Sequence, residues 1–286
     1  MAQSKSWRFG DAEVSVSLPE GLAERVREVW DTARAEVAAA SGVGGGAGGG
    51  AAGGSSRRRA GRAGGRPPER PPERLSVERI VDVAIEQMRA QGYDAVTMRS
   101  IARELGTGPA SLYAHVANRA ELDQLVVGRV TGMLHIPDPD PARWDEQLRD
   151  TLHATLALYR AHPGVARATL GMIPMEPGVL MVSERLLGLL RAGGVPDQYA
   201  AWSVDVLSLL VASVAVEEDI WRQRGGGASE EAVVAEVRTV FARLPAEHFP
   251  LLSSMADVLT AGDGDERFDF AVTLLVEGLK AVSRAG

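Results

Sequence analysis

The chain has no cysteine and only two lysines, Lys5 and Lys280, among its 286 residues. Without thiols it can form neither a disulfide nor a thiolate metal site, which suits a reducing compartment. Nearly all its positive charge is therefore arginine. No uninterrupted apolar run approaches the roughly 18 residues of a membrane span, and the region around Arg8, Asp11 and Glu13 lacks a signal-peptide core. A cytoplasmic protein with no membrane partner is expected. His115, His153, His162 and His248 show no metal-ligand spacing with carboxylates, so neither a metal nor a cofactor is expected. No nucleophile and base stand at a recognisable spacing, and the glycine run from Gly42 to Gly54 lacks the Gly-Lys-Ser/Thr that would make it a phosphate loop. Catalytic residues are accordingly not assigned, and an enzyme is not expected.

The net charge of −7 argues on average against a nucleic-acid partner. The distribution of that charge argues the other way. Between Arg57 and Arg74 seven arginines stand against two glutamates, a local surplus of +5. Just beyond lies the stretch around which the chain is organised, Thr97 to Arg119. Met98, Ile101, Ala102 and Leu105 recur at i, i+3, i+4 and i+7, one face of a short helix capped by Thr97. Gly106 stands where a left-handed residue closes a helix, and Pro109 suits the first turn of the next. That second helix, from Pro109 to about His115, buries Leu112 and Val116. Its remaining residues are left for other work. This is a helix-turn-helix in which small residues at the start of the second helix let the backbone approach base edges.

Roles follow from side-chain chemistry. Arg99 is the expected base reader, by a bidentate contact to guanine, while Pro109 and Ala110 meet thymine methyls. Thr107, Gly108 and Ser111 complete the groove-facing surface, and Thr97, Tyr113, His115 and Arg119 are expected at phosphates. Arg66, in Gly65-Arg66-Pro67 on the proline-extended arm, has two readings: a minor-groove contact, as in an AT-hook core, or a solvated charged linker.

From Leu75 to Leu134 the chain resembles the DNA-binding domain of the tetracycline-repressor (TetR) family. The residues that carry the match are Gly92-Tyr93, Val96-Thr97-Met98-Arg99, Ile101-Ala102, Leu105-Gly106, Leu112-Tyr113, His115, Asn118-Arg119 and Leu122. A first helix from Ser76 to Ala90, with Ile80, Val83, Ala84 and Met88 inward, precedes the motif. An Asn118-x-x-Glu121 capping box opens a helix running to Leu134 after it.

Four regions follow. Residues 1–41 read as an accessory segment: Val14, Val16 and Leu18 alternate as a short strand, and Leu22, Val26, Val29, Trp30, Ala33 and Val37 make the stripe of an amphipathic helix. Residues 42–74 are a Gly-rich then Arg/Pro-rich linker or arm, 75–134 the DNA-binding domain, and 142–285 a helical body for ligand binding and dimerisation. The fold class is all-α: a helix-turn-helix domain followed by a larger helical domain. The helix from Pro196 to Arg224 is apolar nearly all round, so it should be buried on most sides.

The C-terminal body also resembles the tetracycline-repressor type, through Arg143-Trp144, Leu148-Arg149, Leu170-Gly171, Pro174, Phe268-Asp269-Phe270, Leu274-Leu275 and Gly278-Leu279. The resemblance implies a homodimer held by a four-helix bundle of C-terminal helices. It further implies two recognition helices about 34 Å apart on a palindromic operator in double-stranded DNA. Tetracycline-binding members carry a His before the Leu-Gly pair that helps hold magnesium. Here Thr169 occupies that position, so a different, unknown small-molecule effector is expected. Helix faces nominate His135, Thr151, Thr155 and Tyr159, then Thr169, Met172 and Met175, then Trp202 and Asp205 for the cavity, for which core packing is the duller alternative. The function expected is a ligand-responsive regulator, most simply a repressor that the effector releases. The alternative is a constitutive or architectural DNA-binding protein without a ligand.

Overall fold

The computed structural model describes residues 3–9, 12–18, 25, 28, 29, 31, 32, 75–224 and 230–285. The arm with Arg66 lies outside the described residues, as does most of the amphipathic stripe from Leu22 to Val37. Two compact units emerge, one made of residues 1–63 with 225–263, the other of 64–224 with 264–286.

In the first unit β1 (Gln3–Phe9) pairs antiparallel with β2 (Ala12–Leu18), in register from Gln3 opposite Leu18 to Phe9 opposite Ala12. The single strand expected at Val14–Leu18 therefore has a partner, as its backbone N–H and C=O groups require. The hairpin is the one departure from an all-α chain among the described residues. Among its described residues this unit also holds α9 (Glu230–Arg243), α10 (Pro250–Ser254) and α11 (Ala256–Leu259), with Val240, Leu244 and Ala256 buried, and helical positions at 25, 28, 29, 31 and 32.

The second unit begins with α1 (Val77–Gln91), whose Ser76 cap accepts from the Arg79 amide at 3.3 Å. A 3-10 turn (Tyr93–Ala95) leads to α2 (Met98–Glu104), α3 (Pro109–Tyr113) and α4 (Arg119–Thr131). Ile80, Ala84, Met88, Val96, Ile101, Leu112, Val116, Leu122, Val126 and Val130 form its buried centre. On α1, Val81 is buried and Val83 only half-buried. Helix α4 stops at Thr131, short of the expected Leu134, with Gly132 as its C-cap.

The helical body comprises α5 (Trp144–Ala161), α6 (Val165–Thr169), α7 (Pro177–Ala192), α8 (Asp197–Arg224) and α12 (Gly264–Ala285). Leu148, Leu152 and Leu156 of α5 meet Leu186 and Leu190 of α7, Leu207 and Val211 of α8, and Phe268, Val272 and Val276 of α12 in one core. Charge stitches α5 to α12: Lys280 pairs with Asp145 at 2.7 Å, and Arg149 donates to Thr273 at 2.9 Å. Arg160 joins three helices by pairing with Glu218 at 2.7 Å and Asp265 at 2.6 Å.

Helix α8 has no uninterrupted apolar run of span length, although over Asp197–Gln223 it is long and apolar enough on average to cross a membrane. Nor does its own chain bury it on most sides, since only 28% of its most apolar window is covered. The inner side meets α5, α6 and α7, and the outer side is bare.

Candidate nucleic-acid interface

The interface is built from capping chemistry. Thr97 Oγ1 accepts the Ser100 amide at 3.0 Å, and Ser100 Oγ accepts the Thr97 amide at 2.9 Å, closing a capping box around the start of α2. Ser100 Oγ also donates to Gln87 Oε1 at 2.8 Å, and Gln87 Nε2 donates to the Ser100 carbonyl at 3.2 Å. The buried Gln87 thereby fixes α2 on α1. Nothing in the apolar spacing points to this pair.

At the other end of α2, Gly106 adopts φ 64°, where an L side chain is strained. Its amide bonds to the Arg103 carbonyl at 3.2 Å, and the Thr107 amide bonds to the Ala102 carbonyl at 2.9 Å. These two reverse bonds are a Schellman closure, which turns the chain within two residues. Gly108 then caps α3 and Pro109 fills its first turn. Leu112 and Val116 anchor α3 from beneath, while Pro109, Ala110, Ser111, Tyr113 and His115 are exposed. Arg99 is exposed too, and Arg103, one turn further along α2, shares its side of the helix. Thr97 is exposed with its hydroxyl hydrogen free of the cap, since the cap uses the oxygen only as an acceptor.

Arg119 is held by groups of its own domain. Its Nε donates to Asp123 Oδ1 at 2.7 Å, Nη1 bonds the Val96 carbonyl, and Nη2 reaches the Tyr93 carbonyl at 3.4 Å. The guanidinium carbon lies 4.3 Å from the Tyr93 ring centroid. Tyr93 Oη donates to the other oxygen of buried Asp123 at 2.7 Å. Burial, then that hydrogen bond, push the Tyr93 phenol above its ordinary pKa, so it stays a donor. With these donors turned inward, Arg119 is a strut between α4 and the turn before α2. At the start of α4, Asn118 Oδ1 accepts the Glu121 amide at 2.9 Å, while Glu121 Oε2 accepts the Ala117 amide at 2.6 Å, one residue before the expected box.

The same helix is tied to the body. Arg167 of α6 lies 5.9 Å from the Tyr93 centroid and pairs with Asp94 at 3.5 Å. Gln124 donates to the Ile173 carbonyl at 2.6 Å and accepts the Met175 amide at 3.2 Å. Helices α4 and α7 meet backbone to backbone: a Cβ on Gly178 would lie 2.4 Å from the Gly128 carbonyl oxygen.

The residues nominated for the cavity are dispersed. Thr151, Thr155 and Tyr159 line the inner side of α5; both threonine hydroxyls donate to carbonyls one turn back at 2.7 Å, and burial pushes the Tyr159 phenol up to about 12. The Thr169 hydroxyl is likewise occupied, donating to the Ala166 carbonyl at 2.7 Å, and Met172 packs half-buried against the core. His135 and Met175 are exposed. Trp202 and Asp205 sit on the outer side of α8, because the turns carrying Leu207 and Val211 take the inner side. Trp202 belongs instead to an apolar groove of about 310 Å³ between α8 and α12, with Tyr199, Val206, Leu274 and Gly278. Glu218 of α8 is committed to Arg160.

A short exposed helix seated by two buried residues, a two-residue glycine turn and a connecting helix locked into a helical body define a helix-turn-helix transcriptional regulator. Comparison with known proteins agrees. The model of bacterial regulatory proteins of the tetR family matches residues 80–123, and that of the tetracyclin repressor-like C-terminal domain matches residues 136–283. The HTH-type transcriptional repressor DrrR1 of Streptomyces coeruleorubidus is 28% identical over 213 residues, 73% of this chain and 78% of its own. The TetR family protein ActR of Streptomyces coelicolor, solved in complex with (S)-DNPA and with actinorhodin, is 36% identical with a TM-score of 0.66 over 73% of this chain and 99% of its own. The chain belongs to the TetR family, whose members are DNA-binding transcriptional regulators.

Proposed function

We propose that the protein is a cytoplasmic homodimeric repressor that reads a palindromic operator and is released by a small molecule. One observation carries the dimer. Tyr199, Trp202, Val206 and Leu209 of α8, with Phe270 and Leu274 of α12, leave an apolar face exposed on a single chain. Such a face needs a cover, and a second copy presenting the same face supplies one of matching shape. Two copies of α3 then meet two half-sites, with Arg99, Pro109 and Ala110 toward the bases. Thr107, Gly108 and Ser111 flank them, and Thr97, Tyr113 and His115 stand at phosphates.

Release requires an effector with different affinities for two arrangements of α4. The Gln124 bonds to the segment between α6 and α7 give such a molecule a path, since that segment carries Met172 and Met175 and adjoins Thr169. Thr151, Thr155 and Tyr159 on α5 supply polar groups within reach of the body's core. ActR in complex with actinorhodin and with (S)-DNPA supports a small-molecule effector for this chain as well.

Selection from a random duplex pool at physiological salt tests the proposal. A near-palindrome with half-sites about one helical turn apart is expected. Salt-dependent binding without any enriched sequence would overturn it in favour of an architectural role for the arginine arm.

A further inference from the structure

We propose that Arg103 holds a DNA phosphate beside the base that Arg99 reads. Six arginines stand in the DNA-binding domain, from Arg79 to Arg129. Arg89 pairs with Glu86, Arg119 with Asp123 at 2.7 Å and Arg129 with Asp82 at 3.6 Å. Arg79 is engaged as well. That leaves Arg99 and Arg103, both exposed on α2 and both without a partner among the described residues. At i and i+4 the two cations repel one another, and no carboxylate among the described residues offsets them. An anion from outside the chain does.

Packing decides where they face. Met98, Ile101 and Ala102 are buried, and Ser100 is turned toward Gln87 of α1, so the side of α2 with Arg99 and Arg103 is left to solvent. Four residues advance a helix by about 6 Å. In a helix-turn-helix the first helix crosses the phosphate backbone while the second enters the groove. A duplex carries one negative charge per roughly 1.7 Å of its axis, so a cation held one turn from a groove-facing neighbour meets the backbone. The approach is open. A Cβ on Gly106 or Gly108 would meet nothing within 4 Å, and the Gly106 amide bonds to the Arg103 carbonyl at 3.2 Å, so Arg103 borders that bare turn. A guanidinium also presents the forked donors that a phosphate accepts.

The duty of an arginine in a last turn is otherwise to offset the negative end of its helix, which concerns stability alone. The two roles separate in experiment. The contact rests on α2 and α3 being the surface that faces DNA, and it needs neither the effector nor the dimer.

Binding of the full-length protein to its selected operator and to a random duplex, titrated over about 50 to 200 mM salt, is the test. Each phosphate neutralised adds about 0.9 to the steepness of log affinity against log salt, so Arg103→Ala should reduce the steepness by about that much for every subunit bound. Both DNAs should lose the same factor, roughly tenfold. Arg103→Lys should keep the steepness, because an ammonium still neutralises the phosphate. Arg103→Gln, which keeps a good helix former, should repeat the alanine result and replaces it should that variant unfold. Unchanged steepness in a folded neutral variant would overturn the proposal and leave Arg103 to the helix end. A loss confined to the operator, with relaxed preference at one base pair, would overturn it by making Arg103 a base reader. Absence of salt-dependent binding in the unsubstituted protein would overturn the DNA-facing role of α2 and α3, and this contact with it.

Discussion

The surface of α2 and α3 and the outer side of α8 and α12 are both exposed, and for opposite reasons. The first displays Arg99, Ser111, Tyr113 and His115 over two buried anchors, Leu112 and Val116. Water solvates those groups well, so that surface is complete in one chain and waits for a polyanion. The second displays Trp202, Val206, Phe270 and Leu274. Water solvates these poorly, so that surface is incomplete until something apolar covers it. Exposure alone says little; the chemistry of the exposed atoms names the partner.

Breaking the apolar side should have the largest effect. Leu274→Asp is expected to give a monomer by sedimentation and to weaken palindrome binding by about 10² to 10⁴-fold, because one half-site no longer raises the effective concentration at the other. An unchanged dimer would move the interface elsewhere. Next comes the strut. Arg119→Ala should lower the stability of the domain by about 1.5 to 3 kcal/mol in denaturant titration, since Asp123 and the Tyr93 and Val96 carbonyls lose a charged donor. A uniform loss of DNA affinity with full stability would return Arg119 to the phosphates.

Arg99→Ala sharpens the polar side. It should cost about 1 to 3 kcal/mol on the operator and relax preference at one base pair, with little change on random DNA. Equal losses on both would make Arg99 a phosphate contact. The smallest effect belongs to Tyr113→Phe, expected to weaken all sequences by about 0.5 to 1.5 kcal/mol through one lost hydrogen bond, measured by titration at fixed salt.

The helix-turn-helix was legible because its signals are local. Thr97 caps a helix three residues away, Gly106 turns a chain within two, and Leu112 with Val116 share one face. The intramolecular partners of Arg119 were not legible, for the complementary reason. Its partners Val96 and Tyr93 stand 23 and 26 residues earlier, and an arginine next to a recognition helix looks alike whether it faces phosphate or carbonyl. The side taken by Trp202 was hidden in the same way. Periodicity placed it on a helix face, but α8 has apolar residues on both sides, and no spacing says which side its own chain takes.

The sequence by itself determined the helices of the DNA-binding domain to within a few residues, the Ser76 and Thr97 caps, the turn between α2 and α3 and the kinship with one family, since each depends on residues within a few positions of one another. Only the tertiary structure decided which arginine points outward, where α4 is tied to the body through Gln124 and Gly178, and which face of α8 remains bare. Those outcomes depend on groups far apart in the chain that compete for the same donors and the same apolar surface, and that competition is settled when the helices pack.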